Sequence, residues 1–538
     1  MLNFSAHEYP YASQRQSVFA RKGMVATSQP LAAEAGIAML RRGGNAIDAA
    51  IATAAALTVV EPTGCAIGGD AFALVWIKDQ LYGLDASGHA PAALSSEAVK
   101  AAGHERVPVH GWLPVTVPGC PSAWAELSRR FGKLPFAELL QPAIELARDG
   151  FPVSPVVAHQ WRIAQDEYQA SRERFPELQA WFDTYLIDGQ APVAGQLFRN
   201  PAQAQTLAEL AETQCESFYR GAIAERLASH AAASGGVLSA ADLAGYLPRW
   251  VEPIKVNYRG YDVWEIPPAG QGLIALMTLK ILEGFDFHHR DSRQTWHRQI
   301  EAMKLAYADG LHYITDPEHM RVAAEELLAE DYCARRRALI GERAREPLHG
   351  DPKASGTVYI ATADGEGNMV SFIQSAYHGF GSGVVLPGSG IALQNRGSEF
   401  SLDPNHSNYL LPGKKTFHTI IPGFLSKDGV AVGPFGVMGG YMQPQGHVQM
   451  VMNLVDFGLN PQAALDAPRW QWLGGQRVGI EQETPRDLTF ALARCGHQIE
   501  VACDRTDYGR GQIIVRDPQN GVLCGGTEPR ADSHIAVY

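Results

Sequence analysis

The chain has 538 residues, a formal net charge of −12 and a sequence pI of about 5.8. This acidic balance, without any block of basic residues, argues against nucleic acid as a main partner. The longest apolar run, residues 49–60, is shorter than the ~20 residues that a membrane helix needs, so we expect a buried helix there and no membrane partner.

The N-terminal part of the chain predicts scaffold elements. Residues 1–10 lack the basic start and apolar core of a secretory signal, from which we expect a cytoplasmic protein. Residues 31–42 have helical apolar spacing, with Pro30 at the first turn and glycines at the end. Asn45 is expected to cap the next helix together with Asp48. Residues 71–76 predict a strand of a sheet.

Several enzyme classes are excluded by missing motifs. The seven cysteines are odd in number and form no C-x-x-C pair, which favours reduced thiols over disulfides or zinc ligands. His288 and His289 are adjacent but have no further ligand at metal spacing. The chain has no H-E-x-x-H, G-x-S-x-G or G-x-x-x-x-G-K-[ST] motif, which removes zincins, serine hydrolases with a nucleophile elbow and P-loop proteins.

Thr357 opens a predicted β-hairpin. Residues 358–360 and 369–374 favour strands, and residues 364–368 favour a turn. A threonine hydroxyl needs a base, which its own α-amino group can supply when the residue is N-terminal. Such an amine titrates near pH ~8. Cleavage between Gly356 and Thr357 would expose it, whereas an ordinary junction between a turn and a strand is the alternative.

Thr357 is accompanied by characteristic segments at residues 23–27, 43–50, 379–383, 393–401, 436–440 and 527–530, and by Pro422. In the order and spacing of these segments, the chain resembles the γ-glutamyltransferase family of N-terminal nucleophile hydrolases. The resemblance implies an αββα sandwich, an α+β fold with two stacked antiparallel sheets between helical layers. It also implies a precursor that cuts itself into a large subunit, residues 1–356, and a small subunit, residues 357–538, which form one interwoven unit. Subunits of one precursor are therefore partners, and the resemblance allows a dimer of such heterodimers.

The resemblance also assigns catalytic roles within the small subunit. Gly439 and Gly440 match the glycines whose amides bind the oxyanion of the family's tetrahedral intermediate. They precede residues 442–454, which have helical character, so their N–H groups are expected at a positive helix N-terminus. Ser375 matches a hydroxyl residue that hydrogen-bonds the nucleophilic threonine.

The chain departs from the family pattern where the family binds the γ-glutamyl group. Ser87 replaces an arginine that holds the substrate's α-carboxylate in the large subunit. The remaining substrate-binding positions, by the same resemblance, are Tyr377, Arg396, Glu399, His418 and Thr419. We expect Tyr377 and His418 to shorten the pocket, and Arg396 to grip a carboxylate through two parallel N–H···O bonds. Alternatively, Arg396 pairs structurally with Glu399.

These departures favour a small carboxylated amide as substrate. The smallest such amide is oxamate, and the subgroup that this chain most resembles includes oxamate amidohydrolases of purine and ureide breakdown. We therefore expect an amidohydrolase that releases ammonia and needs no metal or organic cofactor. Three alternatives stay open: a γ-glutamyltransferase or glutathione hydrolase, an acylase or peptide amidase with a larger acyl pocket, and an unprocessed, non-enzymatic binding protein.

Overall fold

A computed structural model describes residues 15–347 and 356–538. Its strands are β1 (Val18–Ala20), β2 (Gly23–Thr27), β3 (Asp70–Ile77), β4 (Gln80–Ala86), β5 (Phe151–Pro152), β6 (Leu197–Phe198), β7 (Arg249–Val251), β8 (Ile254–Tyr258), β9 (Tyr261–Glu265), β10 (Gly356–Asp364), β11 (Met369–Tyr377), β12 (Val385–Leu386), β13 (Ile391–Ala392), β14 (Gly423–Lys427), β15 (Val430–Met438), β16 (Trp470–Gly474), β17 (Arg477–Glu481), β18 (Gln498–Ala502), β19 (Arg510–Arg516), β20 (Leu523–Thr527) and β21 (His534–Val537).

Helices occur along most of the chain. They are α1 (Pro30–Arg41), α2 (Ala46–Val60), α3 (Ser96–Ala101), α4 (Cys120–Phe131), α5 (Phe136–Asp149), α6 (Pro155–Ser171), α7 (Gln179–Tyr185), α8 (Pro201–Glu212), α9 (Glu216–Arg220), α10 (Ala222–Ala233), α11 (Ala240–Ala244), α12 (Gly272–Leu282), α13 (Arg293–Tyr313), α14 (Ala324–Leu327), α15 (Glu330–Arg337), α16 (Met442–Val455), α17 (Pro461–Asp466) and α18 (Arg486–Arg494). Across the described ranges, no helix is both long and apolar enough to cross a membrane.

Two large antiparallel sheets form the centre of the molecule. The first sheet has the order β21-β2-β10-β11-β3-β4-β7, and the second has the order β1-β20-β19-β15-β14-β9-β8. Both sheets combine strands from before and after residue 356. The central β10 is hydrogen-bonded to β2 on one side and to β11 on the other. The two parts of the chain are therefore interwoven within each sheet.

Apolar residues form separate cores between the sheets and on their outer faces. Phe72, Tyr359 and Ile373 of the first sheet share a cluster with Phe424 and Ile514 of the second. Helices such as α2, α4 and α5 pack on the outer face of the first sheet, and α12, α13 and α16 pack on that of the second. Alternating side chains of one strand supply both faces, as the period of a β-strand requires. The predicted αββα sandwich is confirmed.

The N-terminal helices begin and end close to the predicted positions. Helix α1 has Pro30 as its first residue. Asn45 caps α2, because its Oδ1 accepts from the N–H groups of Ile47 and Asp48 at 3.0 Å each. The Asp48 carboxylate accepts from the Asn45 N–H at 2.9 Å and completes the capping box. All fifteen residues of α2 are buried, which agrees with the buried helix predicted for residues 49–60.

Candidate active site

Thr357 lies near the start of the central strand β10, and its side chain is fully buried. It is two residues before Tyr359, which faces the space between the sheets, so strand alternation directs Thr357 to the same space. The pairing of β10 with β11 is irregular here. Gly356 lies opposite Tyr377 and Val358 lies opposite Gln374, so β11 has one extra residue across from Thr357. A β-bulge therefore marks the Gly356–Thr357 junction.

Ser375 lies within the bulge and contacts the threonine. The two hydroxyl oxygens, Thr357 Oγ1 and Ser375 Oγ, are 3.2 Å apart. The N–H of Tyr377 donates to Ser375 Oγ at 2.8 Å, which fixes the position of this hydroxyl. Tyr377 has a φ of 77°, in the left-handed region that non-glycine residues rarely adopt. Such conformations are often found at functional sites.

Gly439 and Gly440 connect β15 to helix α16. Their φ values of 128° and 55° lie in the region that favours glycine. The carbonyl of Gly439 accepts from the N–H of Met442, whereas no hydrogen bond among the described residues uses the N–H of Gly439 or Gly440. Two unpaired amides beside a helix N-terminus can donate to a developing oxyanion.

Arg396 is a fully buried cation, and only part of its guanidinium is hydrogen-bonded within the described residues. Its Nη1 donates to Thr419 Oγ1 at 2.6 Å, and its guanidinium carbon lies 3.9 Å from the centre of the Tyr377 ring. Within residues 15–347 and 356–538, Nε and Nη2 have no hydrogen-bond partner. Burial lowers the pKa of Arg396 to about 9, although attraction to Asp70 partly opposes this shift. Unpaired N–H groups on a buried guanidinium can bind a carboxylate.

Arg396 and Glu399 contact different partners among the residues that the structure describes. Both residues lie in one turn of 3₁₀-helix, Arg396–Glu399, but Arg396 donates to Thr419 and is not among the ion pairs found in the part of the chain that the structure describes. Glu399 Oε2 instead accepts from the hydroxyl of Tyr441 at 2.6 Å. Tyr441 directly follows Gly440, so this hydrogen bond connects the 3₁₀ turn to the glycine pair.

His418 is turned toward Asp70, where it forms a buried hydrogen bond. Its Nε2 lies 3.1 Å from Asp70 Oδ2, and its Nδ1 accepts from the N–H of Ile420 at 3.4 Å. Burial, reinforced by the charge of Arg396, lowers the pKa of His418 well below its ordinary range, so Nε2–H donates from a neutral ring. Burial also raises the pKa of Asp70 to about 7, against the opposing effect of Arg396.

Gln271 connects Thr419, the partner of Arg396, to the glycine pair. Its Nε2 donates to the carbonyl of Thr419 at 2.6 Å and to that of Gly440 at 2.8 Å. A continuous series of contacts therefore runs from the threonine hydroxyl through the bulge and the arginine to the glycine pair. The predicted residues that the structure brings together are Thr357, Ser375, Tyr377, Arg396, Thr419, Gly440 and Glu399. Gly356 precedes Thr357 and Gly439 precedes Gly440 in the sequence, and His418 is hydrogen-bonded to Asp70.

Sequence reasoning missed three polar residues of this site. Asp70, Gln271 and Gln443 are fully buried and contact predicted site residues. The available signal was a polar side chain within an otherwise apolar segment, such as Asp70 at the start of β3. Without knowledge of their partners, these residues were indistinguishable from structural ones.

Ser87 stands where the family resemblance implies an arginine, and its side chain is neutral. Its hydroxyl donates to Asp85 Oδ1 at 2.6 Å. The neighbouring Lys415 is itself paired with Asp85, at 2.7 Å. A lysine already neutralised by a carboxylate is a poor replacement for the missing arginine.

A separate buried cluster contains His297, Glu301 and His497. Their potential ligand atoms lie within 4.8 Å of one another. His297 Nδ1 is 2.9 Å from His497 Nε2, and Lys304 Nζ donates to Glu301 Oε1 at 2.8 Å. An ammonium group on the carboxylate competes with a metal cation, so the contacts favour a structural role.

Comparison with known proteins places the chain among amide hydrolases. Residues 32–538 match the profile of the family described as Gamma-glutamyltranspeptidase. The chain is 36% identical over 531 residues to the Glutathione hydrolase-like YwrD proenzyme of Bacillus subtilis, covering 96% of this chain and 98% of that protein. It is 38% identical over 534 residues to the Oxamate amidohydrolase proenzyme of Klebsiella pneumoniae, with coverage of 96% and 98%. The crystal structure of cephalosporin acylase from Bacillus halodurans superposes with a TM-score of 0.96 at 57% identity, covering 100% of this chain and 99% of that chain.

Proposed function

The chain belongs to the gamma-glutamyltranspeptidase family of amide hydrolases, and from this premise we propose that it is a self-cleaving enzyme with Thr357 as its nucleophile. The observation that carries the proposal is the contact between Thr357 Oγ1 and Ser375 Oγ at a bulged junction in the central sheet. Cleavage before Thr357 gives a large subunit, residues 1–356, and a small subunit, residues 357–538. The names of both curated relatives describe proenzymes, which supports this maturation.

In maturation, the Thr357 side chain attacks the peptide bond between Gly356 and Thr357. Thr357 Oγ1 bonds to the carbonyl carbon of Gly356, the C–N bond breaks, and the nitrogen of Thr357 leaves as an amine that takes up the hydroxyl proton. The resulting ester is hydrolysed by water, which gives the carboxylate of Gly356 and regenerates the hydroxyl. Gly356 has no side chain to obstruct the attack.

Turnover uses the α-amine freed by cleavage as general base. The amine takes the proton of Thr357 Oγ1 while the oxygen attacks the amide carbon of the substrate. The N–H groups of Gly439 and Gly440 then donate to the oxyanion, and the protonated amine gives its proton to the leaving nitrogen. Water hydrolyses the acyl-enzyme in a second step. Ser375 holds the nucleophile throughout.

The substrate we propose is a small amide with a nearby carboxylate, most simply oxamate, which would give oxalate and ammonia in purine breakdown. The support is Arg396, whose two unpaired N–H groups lie in a buried setting where a carboxylate would satisfy them. Tyr377 stacks on this arginine and limits the space around it. The Klebsiella pneumoniae relative bears the name of an oxamate amidohydrolase, which agrees with this choice.

A second candidate is an acylase that acts on amides with a larger acyl group. The observation that favours it is the 57% identity to cephalosporin acylase along the full chain. A glutathione hydrolase is less well supported, because Ser87 replaces the expected arginine and Lys415 is paired with Asp85.

A substrate panel separates these candidates. The rate constant kcat/KM is measured for oxamate, glutathione and an N-glutaryl aromatic amine, with Thr357→Ala as the control for background hydrolysis. The oxamate proposal predicts the highest kcat/KM for oxamate. A higher value for the glutaryl amide would favour the acylase, and glutamate release from glutathione would favour the glutathione hydrolase. An uncut chain that is inactive on all three would support a non-enzymatic binding protein.

A further inference from the structure

Gln443 contacts the nucleophile from the helix that follows the glycine pair. It is the second residue of α16, and its side chain is fully buried. Its amide nitrogen Nε2 lies 3.5 Å from Thr357 Oγ1. Its backbone N–H donates to the carbonyl of Gly440 at 3.0 Å, which ties the residue to the candidate oxyanion site.

The orientation of the Gln443 amide is fixed by a backbone group. Its Oε1 accepts from the N–H of Ile421 at 2.9 Å. A backbone N–H can only donate, so the oxygen of the amide must face Ile421 and the nitrogen must face Thr357. An N–H donor on one side of Thr357 Oγ1 directs a lone pair of that oxygen toward Gln443. The hydroxyl proton then points away from Gln443.

Ser375 Oγ lies 3.2 Å from Thr357 Oγ1 and can accept a hydrogen bond from the threonine hydroxyl. Ser375 Oγ also accepts from the N–H of Tyr377 at 2.8 Å, which holds this hydroxyl beside the threonine. The donor on Gln443 and the hydroxyl of Ser375 both lie within hydrogen-bond distance of Thr357 Oγ1.

We propose that Gln443 is a further catalytic residue, which donates its Nε2–H to Thr357 Oγ1 and stabilises negative charge on that oxygen. The inference rests on the proposed function of Thr357 as nucleophile. Charge develops on Oγ1 as its proton departs during attack, and again when the ester breaks and Oγ1 leaves. A fixed donor is worth more at these two stages than in the resting hydroxyl, because hydrogen bonds to charged atoms are stronger.

Self-cleavage provides a substrate-free assay of this role. The full chain is made by cell-free translation, and the fraction cut between Gly356 and Thr357 is followed by intact mass against time. In Gln443→Glu, one carboxylate oxygen can still accept from the N–H of Ile421. The other oxygen places an acceptor beside Thr357 Oγ1, where the wild-type amide has its N–H donor. Cleavage at pH 8 should slow by about tenfold to a hundredfold, since one donor to a charged oxygen is lost.

Lower pH should partly rescue this variant. A buried glutamic acid has a raised pKa and, when protonated, can donate its O–H to Thr357 Oγ1. The ratio of wild-type to variant rates should therefore shrink between pH 8 and pH 6. The neighbouring titratable groups, Asp70, His418 and Arg396, are common to both proteins, so the ratio removes their direct contribution.

Gln449→Glu is the matched control. Gln449 is a buried glutamine of the same helix, and its amide binds the N–H and carbonyl of Trp470. Its substitution should lower the melting temperature but leave the rate of cleavage per folded molecule unchanged. Gln443→Met, which lacks donor and acceptor, should be slow at both pH values.

Each outcome identifies which claim fails. If Thr357→Ala is also cut at this bond, the proposed function is wrong. If cleavage requires Thr357 but Gln443→Glu and Gln443→Met cleave at the wild-type rate, only the role of Gln443 is wrong. The same conclusion follows if the rate of Gln443→Glu falls only in proportion to its folded fraction, as judged against Gln449→Glu.

Discussion

Replacing Arg396 with methionine should remove activity without removing stability. The structure predicts that the stabilising and destabilising effects of this substitution on folding nearly cancel. Losing two unsatisfied buried donors saves about 1–3 kcal/mol each. Losing the bond to Thr419 costs about 1.5–3 kcal/mol, and losing the stack on Tyr377 costs about 0.5–2 kcal/mol. The midpoints of these ranges are about 4 kcal/mol saved and about 3.5 kcal/mol lost, so the net change in the free energy of unfolding should be close to zero.

The effect on catalysis should be much larger. Removing one partner of a buried, charge-assisted contact costs about 2–5 kcal/mol, which corresponds to a loss of about 30-fold to several thousandfold in kcat/KM for oxamate. The assay follows ammonia release at increasing oxamate concentrations. Stability is compared by thermal unfolding in the Thr357→Ala background, so that every sample is designed to be a single uncut chain.

Arg469→Met is the matched control for stability. Arg469 is also fully buried, but its guanidinium donates to Glu528 at 2.8 Å and to the carbonyls of Tyr508 and Gly509. Breaking this satisfied network should cost about 3–5 kcal/mol. If Arg396→Met lost as much stability as Arg469→Met and kept its kcat/KM, the assignment of Arg396 to substrate binding would be refuted.

Three further perturbations test other parts of the site. Ser375→Ala should slow both self-cleavage and turnover by about fivefold, because a neutral hydrogen bond to the nucleophile is worth about 1 kcal/mol; unchanged rates in intact-mass and ammonia assays would contradict its role. Gly439→Ala should lower kcat and the melting temperature together, since its φ is 128° and a Cβ would lie 3.1 Å from the Cα of Gly509; a fully active variant would argue against a role for this segment. Asp70 keeps its proton in the folded chain up to a pKa of about 7, compared with an ordinary value of 3.8. Wild-type stability should therefore fall relative to Asp70→Asn as the pH rises from about 4 to 7, and a difference in melting temperature that does not change with pH would contradict this.

The sequence predicted local features of the fold well because their causes are local. Apolar spacing and the Asn45 cap are contained within a few residues, and the structure has α1, α2 and the β10–β11 hairpin where they were expected. Helix α16 also begins at Met442, as the helical character of residues 442–454 predicted. Family resemblance was needed to combine these elements into the αββα sandwich.

The site was only partly predictable for the opposite reason. Gln443 reaches Thr357 across 86 positions of sequence, and Asp70 meets His418 across 348. No spacing rule indicates such partners. The same limit explains why a pairing of Arg396 with Glu399 remained open: their separation of three residues suits an ion pair, but the 3₁₀ turn and Tyr441 direct the two side chains to different partners.

The most direct test of the account is the intact mass of the purified 58.3 kDa chain and of its Thr357→Ala variant, each followed by an assay of ammonia release from oxamate. The account predicts two fragments for the wild type, with Thr357 at the N-terminus of the smaller one, and ammonia release that depends on this residue. The variant should stay as a single uncut chain without activity. An uncut wild-type chain, or cleavage at the same bond in Thr357→Ala, would contradict the central claim that this threonine is the nucleophile.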